Sequence, residues 1–138
     1  MAAAPQFDHL GIAVRDLDAA SRLYGLLGLR EAGREVIAQE QVTVALLPLA
    51  GGGRIELLAA TSPDSPVGRF LERRGEGLHH YALRVPNLEA AVARLQGAGA
   101  RFVSAEIQTG AGGHRYIFLH PSSFGGVLLE LVEASGPA

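Results

Sequence analysis

Two histidines and two glutamates of this 138-residue chain could together bind a metal ion. His9 and His80 stand near the starts of two similar stretches, while Glu56 and Glu130 each interrupt an apolar run. A carboxylate buried without a partner is unstable by several kcal/mol, so both glutamates need a partner in the fold. Two imidazoles and two carboxylates suit a divalent ion of intermediate softness, and an octahedral ion would keep positions open for a bidentate substrate.

An internal repeat relates these four residues. The stretch "FDHLGIAVRDLDAA" (7–20) aligns with "LHHYALRVPNLEAA" (78–91), and "RIELL" (54–58) aligns with "LLELV" (128–132). The alignment places His9 over His80 and Glu56 over Glu130. Taken singly, a histidine at a strand start is more often structural, and a strand glutamate is usually solvated. Their coincidence in both halves favours the metal site.

The adjacent histidines His79 and His80 have different predicted roles. Successive side chains of a strand point to opposite faces, and the repeat aligns His79 with Asp8 rather than with His9. His80 is therefore the predicted ligand. His79 is predicted to pack or to form hydrogen bonds on the other side of the strand.

Hydrophobic periodicity predicts the same βαβββ order in both halves. Asp16 and Asn87 are predicted N-caps of the two helices, which Gly28 and either Gly97 or Gly99 would end. Ser65 is expected to begin a short linker helix, about residues 65–75. We predict a single domain, 1–138, with modules at about 7–60 and 78–133. The strands after each helix are expected at about Glu31–Ile37, Val42–Leu49 and Arg54–Ala59, and at about Arg101–Ala105, Arg115–Leu119 and Gly126–Val132.

The composition excludes several kinds of function. All twelve basic residues are arginine, which excludes Schiff-base chemistry, and the chain has no cysteine, which excludes thiol catalysis and disulfides. The formal net charge of −2 argues against nucleic acid or anionic membrane as a partner. The beginning of the chain lacks the apolar run of a secretion signal, so a cytoplasmic location is expected.

The sequence resembles the vicinal oxygen chelate superfamily and, within it, the methylmalonyl-CoA epimerase family. The strings that carry this resemblance are "FDHLGIAVRDLDAA", "GEGLHHYAL", "GAGGHRYIFLHP" and "GGVLLELVE". The resemblance implies an α+β fold in which two βαβββ modules form a cup-shaped mixed sheet. It also implies a homodimer that interconverts the two epimers of methylmalonyl-CoA at C2.

The resemblance further implies site residues and a cofactor. His9, Glu56, His80 and Glu130 would bind one divalent metal ion per subunit, with Co²⁺ first and Mn²⁺, Ni²⁺, Zn²⁺ or Mg²⁺ as alternatives. Glu130 would also act as one acid/base. The strand "VTVALLP" carries no acid, so Glu40 is the nearest candidate for the second acid/base. A solvated loop role for Glu40, a role for Glu35, and a water on the metal stay open as alternatives.

Four further residues match the family's substrate site by resemblance. Gly112 and Gly113 belong to a glycine-rich loop whose backbone N–H groups could approach the acyl-CoA. His120 could line the pocket or be structural, and Ser123 would face the acyl group. Arg84, on the face of His80, could meet the substrate carboxylate or reach solvent.

Two other function classes stay open at this point. A glyoxalase I-like isomerase (lactoylglutathione lyase type) uses the same kind of ligand set, although the loop strings favour the epimerase. A non-enzymatic small-molecule binding protein of the same fold would generally lack the ligands. An extradiol dioxygenase would usually keep two histidines and one carboxylate, so the fourth ligand argues against it.

Overall fold

The computed structural model describes residues 4–110 and 113–134 of the chain. Within these ranges the elements follow one another as two βαβββ modules joined by a helix, as the sequence predicts. Two single turns of 3-10 helix also occur, at Ala38–Glu40 and Pro121–Ser123. The strands are β1 (Gln6–Ala13), β2 (Gly33–Ile37), β3 (Val42–Pro48), β4 (Arg54–Ala60), β5 (Gly77–Val85), β6 (Gln108–Thr109), β7 (Arg115–Leu119) and β8 (Leu128–Glu133), and the helices are α1 (Leu17–Gly25), α2 (Pro66–Arg74) and α3 (Leu88–Gly97).

The described residues form two compact units. The first unit spans residues 9–79, and the second spans residues 80–134 together with the residues before His9. The first contains the strand order β2-β3-β4-β1, and the second contains β5-β8-β7-β6. In each unit the first and last strands of the module pair in parallel, and the other neighbours pair antiparallel.

The first unit buries apolar residues on both faces of its strands. On one face, Leu17 of α1 packs with Val14 and with Leu57 of β4. On the other, Val67 and Leu71 of α2 pack against Ala13, Val42, Val44 and Leu58. Helix α2 is therefore part of this unit's core and lies on the opposite face of the strands from α1.

The second unit repeats this arrangement with one helix. Helix α3 packs through Leu88, Ala91 and Val92 onto residues of β7 and β8, including Ile117 and Leu129. The opposite face holds Ala82, Tyr116 and Val132, with Phe118 packed against them. This second face is the one that His80 and Glu130 share.

The predicted helix caps are confirmed. Asp16 accepts a hydrogen bond from the Ala19 amide, and Asn87 accepts one from the Ala90 amide, each at 3.0 Å. The Ser65 hydroxyl accepts one from the Gly68 amide at 3.0 Å and donates to the Ser62 carbonyl. Such side chains satisfy amide groups that the first turn of a helix leaves without partners.

The prediction of a strand at Arg101–Ala105 is wrong. Phe102 makes only an isolated bridge to Leu119, and the edge strand of the second unit is the two-residue β6. From Phe102 to Gln108 the chain advances six residues, while the partner on β7 moves only three, from Leu119 to Tyr116. The surplus residues bend away from the edge, and the Gln108 side-chain amide Nε2 donates a hydrogen bond to the Ser104 hydroxyl across this bend. The alternation in "RFVSA" could not show this bulge, which depends on pairing with β7.

Candidate metal centre

His9 and Glu56 form a buried pair in the first unit. The His9 side chain is 3% exposed and that of Glu56 is 11% exposed, and Nδ1 of His9 lies 3.4 Å from Oε2 of Glu56. β1 runs parallel to β4 with His9 opposite Arg54 and Gly11 opposite Glu56, so the two side chains are diagonal neighbours on one face. This is the face on which α2 packs.

His80 and Glu130 form the corresponding pair in the second unit. Nε2 of His80 lies 3.1 Å from Oε1 of Glu130, and both side chains are more than nine-tenths buried. The Phe118 ring meets the imidazole of His80 edge-on, with 5.5 Å between ring centroids. The apolar ring excludes water from one side of the pair.

The strand register is the same around both pairs. Glu56 lies opposite Gly11 on the parallel neighbour, as Glu130 lies opposite Ala82. On the antiparallel neighbours, the partners are Leu46 and Phe118. Each carboxylate thus belongs to a residue that lies between a small residue and a large apolar residue on the neighbouring strands.

Arg54 makes the two pairs electrostatically unequal. Its Nε and one terminal nitrogen contact Oε2 of Glu56 at 2.8 and 2.6 Å, whereas the equivalent residue beside Glu130 is Leu128. Sequence reasoning did not single out Arg54. Its position two residues before Glu56, and therefore on the same strand face, was the signal that could have found it.

His79 occupies the other side of β5, as strand alternation predicts. Its ring meets the ring of Phe70 on α2 edge-on, with centroids 5.0 Å apart. It is less buried than His80. His79 therefore contributes to the packing of α2.

Arg84 neither reaches solvent freely nor stands unpaired. Its guanidinium donates to the buried carboxylate of Asp8 at 3.3 Å and to the Gln6 side chain at 3.0 Å. Sequence reasoning compared Asp8 with His79 but did not predict this ion pair. The pair gives a buried carboxylate a cationic partner.

Glu40 is half-buried at the end of the 3-10 helix that precedes β3. The next residue, Gln41, accepts a hydrogen bond from the Thr61 amide, which follows β4. Glu56 lies near the beginning of β4 and Thr61 lies just beyond its end. The backbone next to Glu40 is thus about 17 Å along the strand from Glu56, at about 3.3 Å per residue.

The predicted substrate-binding residues belong to two loops of the second unit. Gly112 lies outside the described residues, and Gly113 has a positive φ of 77° at the hairpin between β6 and β7. Nδ1 of His120 accepts a hydrogen bond from the Ser122 amide at 3.1 Å, and the Ser123 hydroxyl accepts one from the Arg101 amide at 2.9 Å. His120 and Ser123 therefore both stabilise the local backbone, and their predicted contacts with substrate stay predictions.

No helix in the part of the chain that the structure describes has the length and apolar character needed to cross a membrane.

The two-module fold agrees with comparisons to known proteins. Residues 8–118 match the family model of the glyoxalase/bleomycin resistance protein/dioxygenase superfamily. The chain belongs to this superfamily, and the predicted vicinal oxygen chelate fold is confirmed.

Individual relatives of the chain identify a narrower family within the superfamily. The chain is 37% identical to human mitochondrial methylmalonyl-CoA epimerase over 131 residues, which cover 94% of this chain and 74% of the human protein. It is 39% identical to an ethylmalonyl-CoA/methylmalonyl-CoA epimerase of Cereibacter sphaeroides, covering 93% and 97% of the two chains. A solved methylmalonyl-CoA epimerase in complex with methylmalonyl-CoA and NH4+ superposes with a TM-score of 0.87 at 36% identity, covering 97% of each chain. The chain belongs to the methylmalonyl-CoA epimerase family, as the sequence motifs indicate.

The contact between Arg54 and Glu56 yields a stability prediction. A double-mutant cycle of Arg54→Leu and Glu56→Gln should show a coupling of about 1–2 kcal/mol in the free energy of unfolding, because the carboxylate is mostly buried and its cationic partner is specific. Urea unfolding of the metal-free protein measures this coupling. The exposed pair Arg34 and Glu31 is the matched control, and it should show a much smaller coupling since water screens it. Equal couplings in the two cycles would contradict a special role for Arg54.

Proposed function

We propose that the protein is a metal-dependent epimerase that interconverts (R)- and (S)-methylmalonyl-CoA by a 1,1-proton transfer. The observation that carries the proposal is the pair of buried His–Glu contacts at equivalent places in the two modules. The identity to methylmalonyl-CoA epimerases over nearly the whole chain supports the choice of substrate. A glyoxalase I-like reaction would use the same ligand types, but these relatives favour the epimerase.

The metal ligands in this proposal are His9, Glu56, His80 and Glu130. His9, His80 and Glu130 are buried side chains that each offer one ligand atom, and Glu56 contacts His9. Two imidazoles and two carboxylates fit a divalent ion, which we take to be Co²⁺ first, ahead of Mn²⁺, Ni²⁺, Zn²⁺ or Mg²⁺. When bound, the ion supplies Lewis-acid stabilisation of the negative charge that develops on the thioester and carboxylate oxygens of the substrate.

The protein's own groups move the proton. Removal of the C2 proton from one face of the substrate gives an enediolate, and return of a proton to the opposite face gives the other epimer. Glu130 is the proposed acid/base on one face. Its contact with His80 supports this role, since it places the carboxylate beside a proposed metal ligand, where the substrate would bind.

Glu40 is the proposed acid/base on the other face. Support comes by elimination: β3, the strand next to Glu56, presents Leu46 and Val44 on the ligand-bearing face, so β3 itself offers no proton carrier there. To serve, the Glu40 side chain would have to approach the bound substrate rather than the metal ligands. The variant experiment below decides between Glu40 and a water molecule.

The remaining parts of the proposal concern assembly and substrate range. A homodimer and a cytoplasmic location stay predictions. The relative from Cereibacter sphaeroides is named for ethylmalonyl-CoA as well as methylmalonyl-CoA. We therefore include ethylmalonyl-CoA as a second substrate of the same reaction.

The first test follows the C2 proton directly. Incubation with methylmalonyl-CoA in D₂O should replace the C2 proton by deuterium, as observed by NMR, because the proposed enediolate exchanges its proton with solvent. Removal of the metal with a chelator should abolish the exchange, and added Co²⁺ should restore it. Exchange that is absent from the metal-loaded protein would contradict the proposed function, and exchange that survives complete metal removal would contradict the metal dependence.

The adjacent histidines give a second test. His80→Ala should abolish binding of Co²⁺, measured by its visible absorption and by metal content after gel filtration, because a ligand is lost. His79→Ala should keep the metal and lower only the free energy of unfolding, because it loses the contact with Phe70. The reverse result would show that the assignment of the two strand faces is wrong.

Substitution of each proposed acid/base shows which face of the substrate that residue serves. Glu40→Gln should still allow deuterium to enter one epimer of methylmalonyl-CoA while slowing exchange of the other by at least about a hundredfold, the usual size of a lost general base. Glu130→Gln should slow exchange of the other epimer instead, and it should also weaken metal binding. If Glu40→Gln exchanges both epimers at the wild-type rate, Glu40 takes no part in the reaction.

A further inference from the structure

We propose that Arg69 and Arg73, exposed on α2, bind the phosphate groups of the acyl-CoA substrate. The proposal rests on the proposed function, which it deepens by assigning a site for the nucleotide part of the substrate. Coenzyme A carries a pyrophosphate and a ribose phosphate, and these are separated from the reacting thioester by the pantetheine arm. A protein that binds it needs cationic groups at some distance from the metal ligands.

Some arginines of the chain form ion pairs with carboxylates, whereas the two on the exposed side of α2 do not. The protein has no lysine, so any side-chain cation that contacts a phosphate at neutral pH must be an arginine or a protonated histidine. Arg34, Arg54, Arg84 and Arg115 each form ion pairs with carboxylates. Within residues 4–110 and 113–134, neither Arg69 nor Arg73 makes an ion pair or a side-chain hydrogen bond, although Glu72 lies on the same helix.

The two arginines are neighbours on the surface of α2. Residues four apart on a helix lie about 5–6 Å from each other, and two like charges at this spacing weaken a helix unless an anion lies between them. Guanidinium groups bind phosphate oxygens through paired hydrogen bonds. Arg69 and Arg73 therefore form a pair suited to a phosphate or pyrophosphate group.

The position of α2 in the first unit connects this pair with the metal ligands. Val67 and Leu71 pack α2 against Ala13 and Leu58, which share the strand face of His9 and Glu56. Helix α2 thus covers the part of that face towards the ends of β1 and β4. In the proposal, a substrate whose thioester lies at His9 and Glu56 places its phosphate groups at the exposed side of α2.

Several contacts hold α2 rigidly in this place. Gly68 approaches the loop before the helix so closely that an added Cβ would lie 2.6 Å from the Ser62 carbonyl oxygen. The Arg74 guanidinium lies over the Phe70 ring at 5.8 Å, and Phe70 contacts His79. Arg74 is thereby engaged at the end of the helix, which leaves Arg69 and Arg73 as the pair that faces outward.

The experiment compares substrates with and without phosphates. We would measure kcat and KM for methylmalonyl-CoA and for methylmalonyl-pantetheine, and the Kd of free coenzyme A by calorimetry. The double variant Arg69→Gln/Arg73→Gln should raise the KM for methylmalonyl-CoA and the Kd of coenzyme A by about tenfold, as expected for two partly solvated charge contacts. The kcat, and the KM for methylmalonyl-pantetheine, should stay at the wild-type values.

A matched control removes the same charge elsewhere. Arg22 on α1 and Arg94 on α3 are also exposed and also lack ion pairs among the described residues, so Arg22→Gln/Arg94→Gln should leave all of these constants unchanged. Added salt should raise the wild-type KM for methylmalonyl-CoA more steeply than that of the α2 variant.

The outcomes separate this proposal from the proposed function. If the α2 variant binds coenzyme A as the wild type does, or if it loses affinity for both thioesters alike, the phosphate site is overturned even though epimerisation is seen. If neither thioester is turned over but the α2 variant alone loses affinity for coenzyme A, the proposed function fails and the phosphate site stands.

Discussion

The burial of two glutamates on the inner strands is the constraint on which the rest of this structure depends. A carboxylate removed from water without a partner is strongly destabilising, so each glutamate must be matched by a nearby donor or cation. The chain meets this need with His9 for Glu56 and His80 for Glu130. The strand register places a small residue, Gly11 or Ala82, opposite each carboxylate on its parallel neighbour.

Repetition of one module explains why the two His–Glu pairs are alike. A difference at one equivalent position of the two modules explains why their surroundings differ. The parallel pairing of β1 with β4 has the same register as that of β5 with β8, which places His and Glu on one face in each unit. Arg54 in the first unit is replaced by Leu128 in the second. Glu56 is therefore held by a guanidinium as well as by a histidine, whereas the printed ion-pair partner of Glu130 is His80.

The helix between the modules links the core to the surface. Its apolar side completes the strand face that carries His9 and Glu56, and its cationic side is exposed. The charge distribution is informative because the chain uses only arginine as its basic residue and pairs several of these arginines with carboxylates. Arg69 and Arg73 differ from the other exposed arginines without ion pairs among the described residues in lying one helical turn apart, on the helix that packs on the strand face of His9 and Glu56.

The sequence by itself determined the modules, the helix caps and the opposite strand faces of His79 and His80, because periodicity and an internal repeat depend only on the order of residues. It also led to the epimerase family through strings spread over the chain. Only the tertiary structure decided the edge of the second unit, where a bulge replaces the expected strand at Arg101–Ala105. The same is true of the contacts of Arg84 with Asp8 and of Ser123 with Arg101, since contacts between residues far apart in the chain follow from register and packing, which no local pattern encodes.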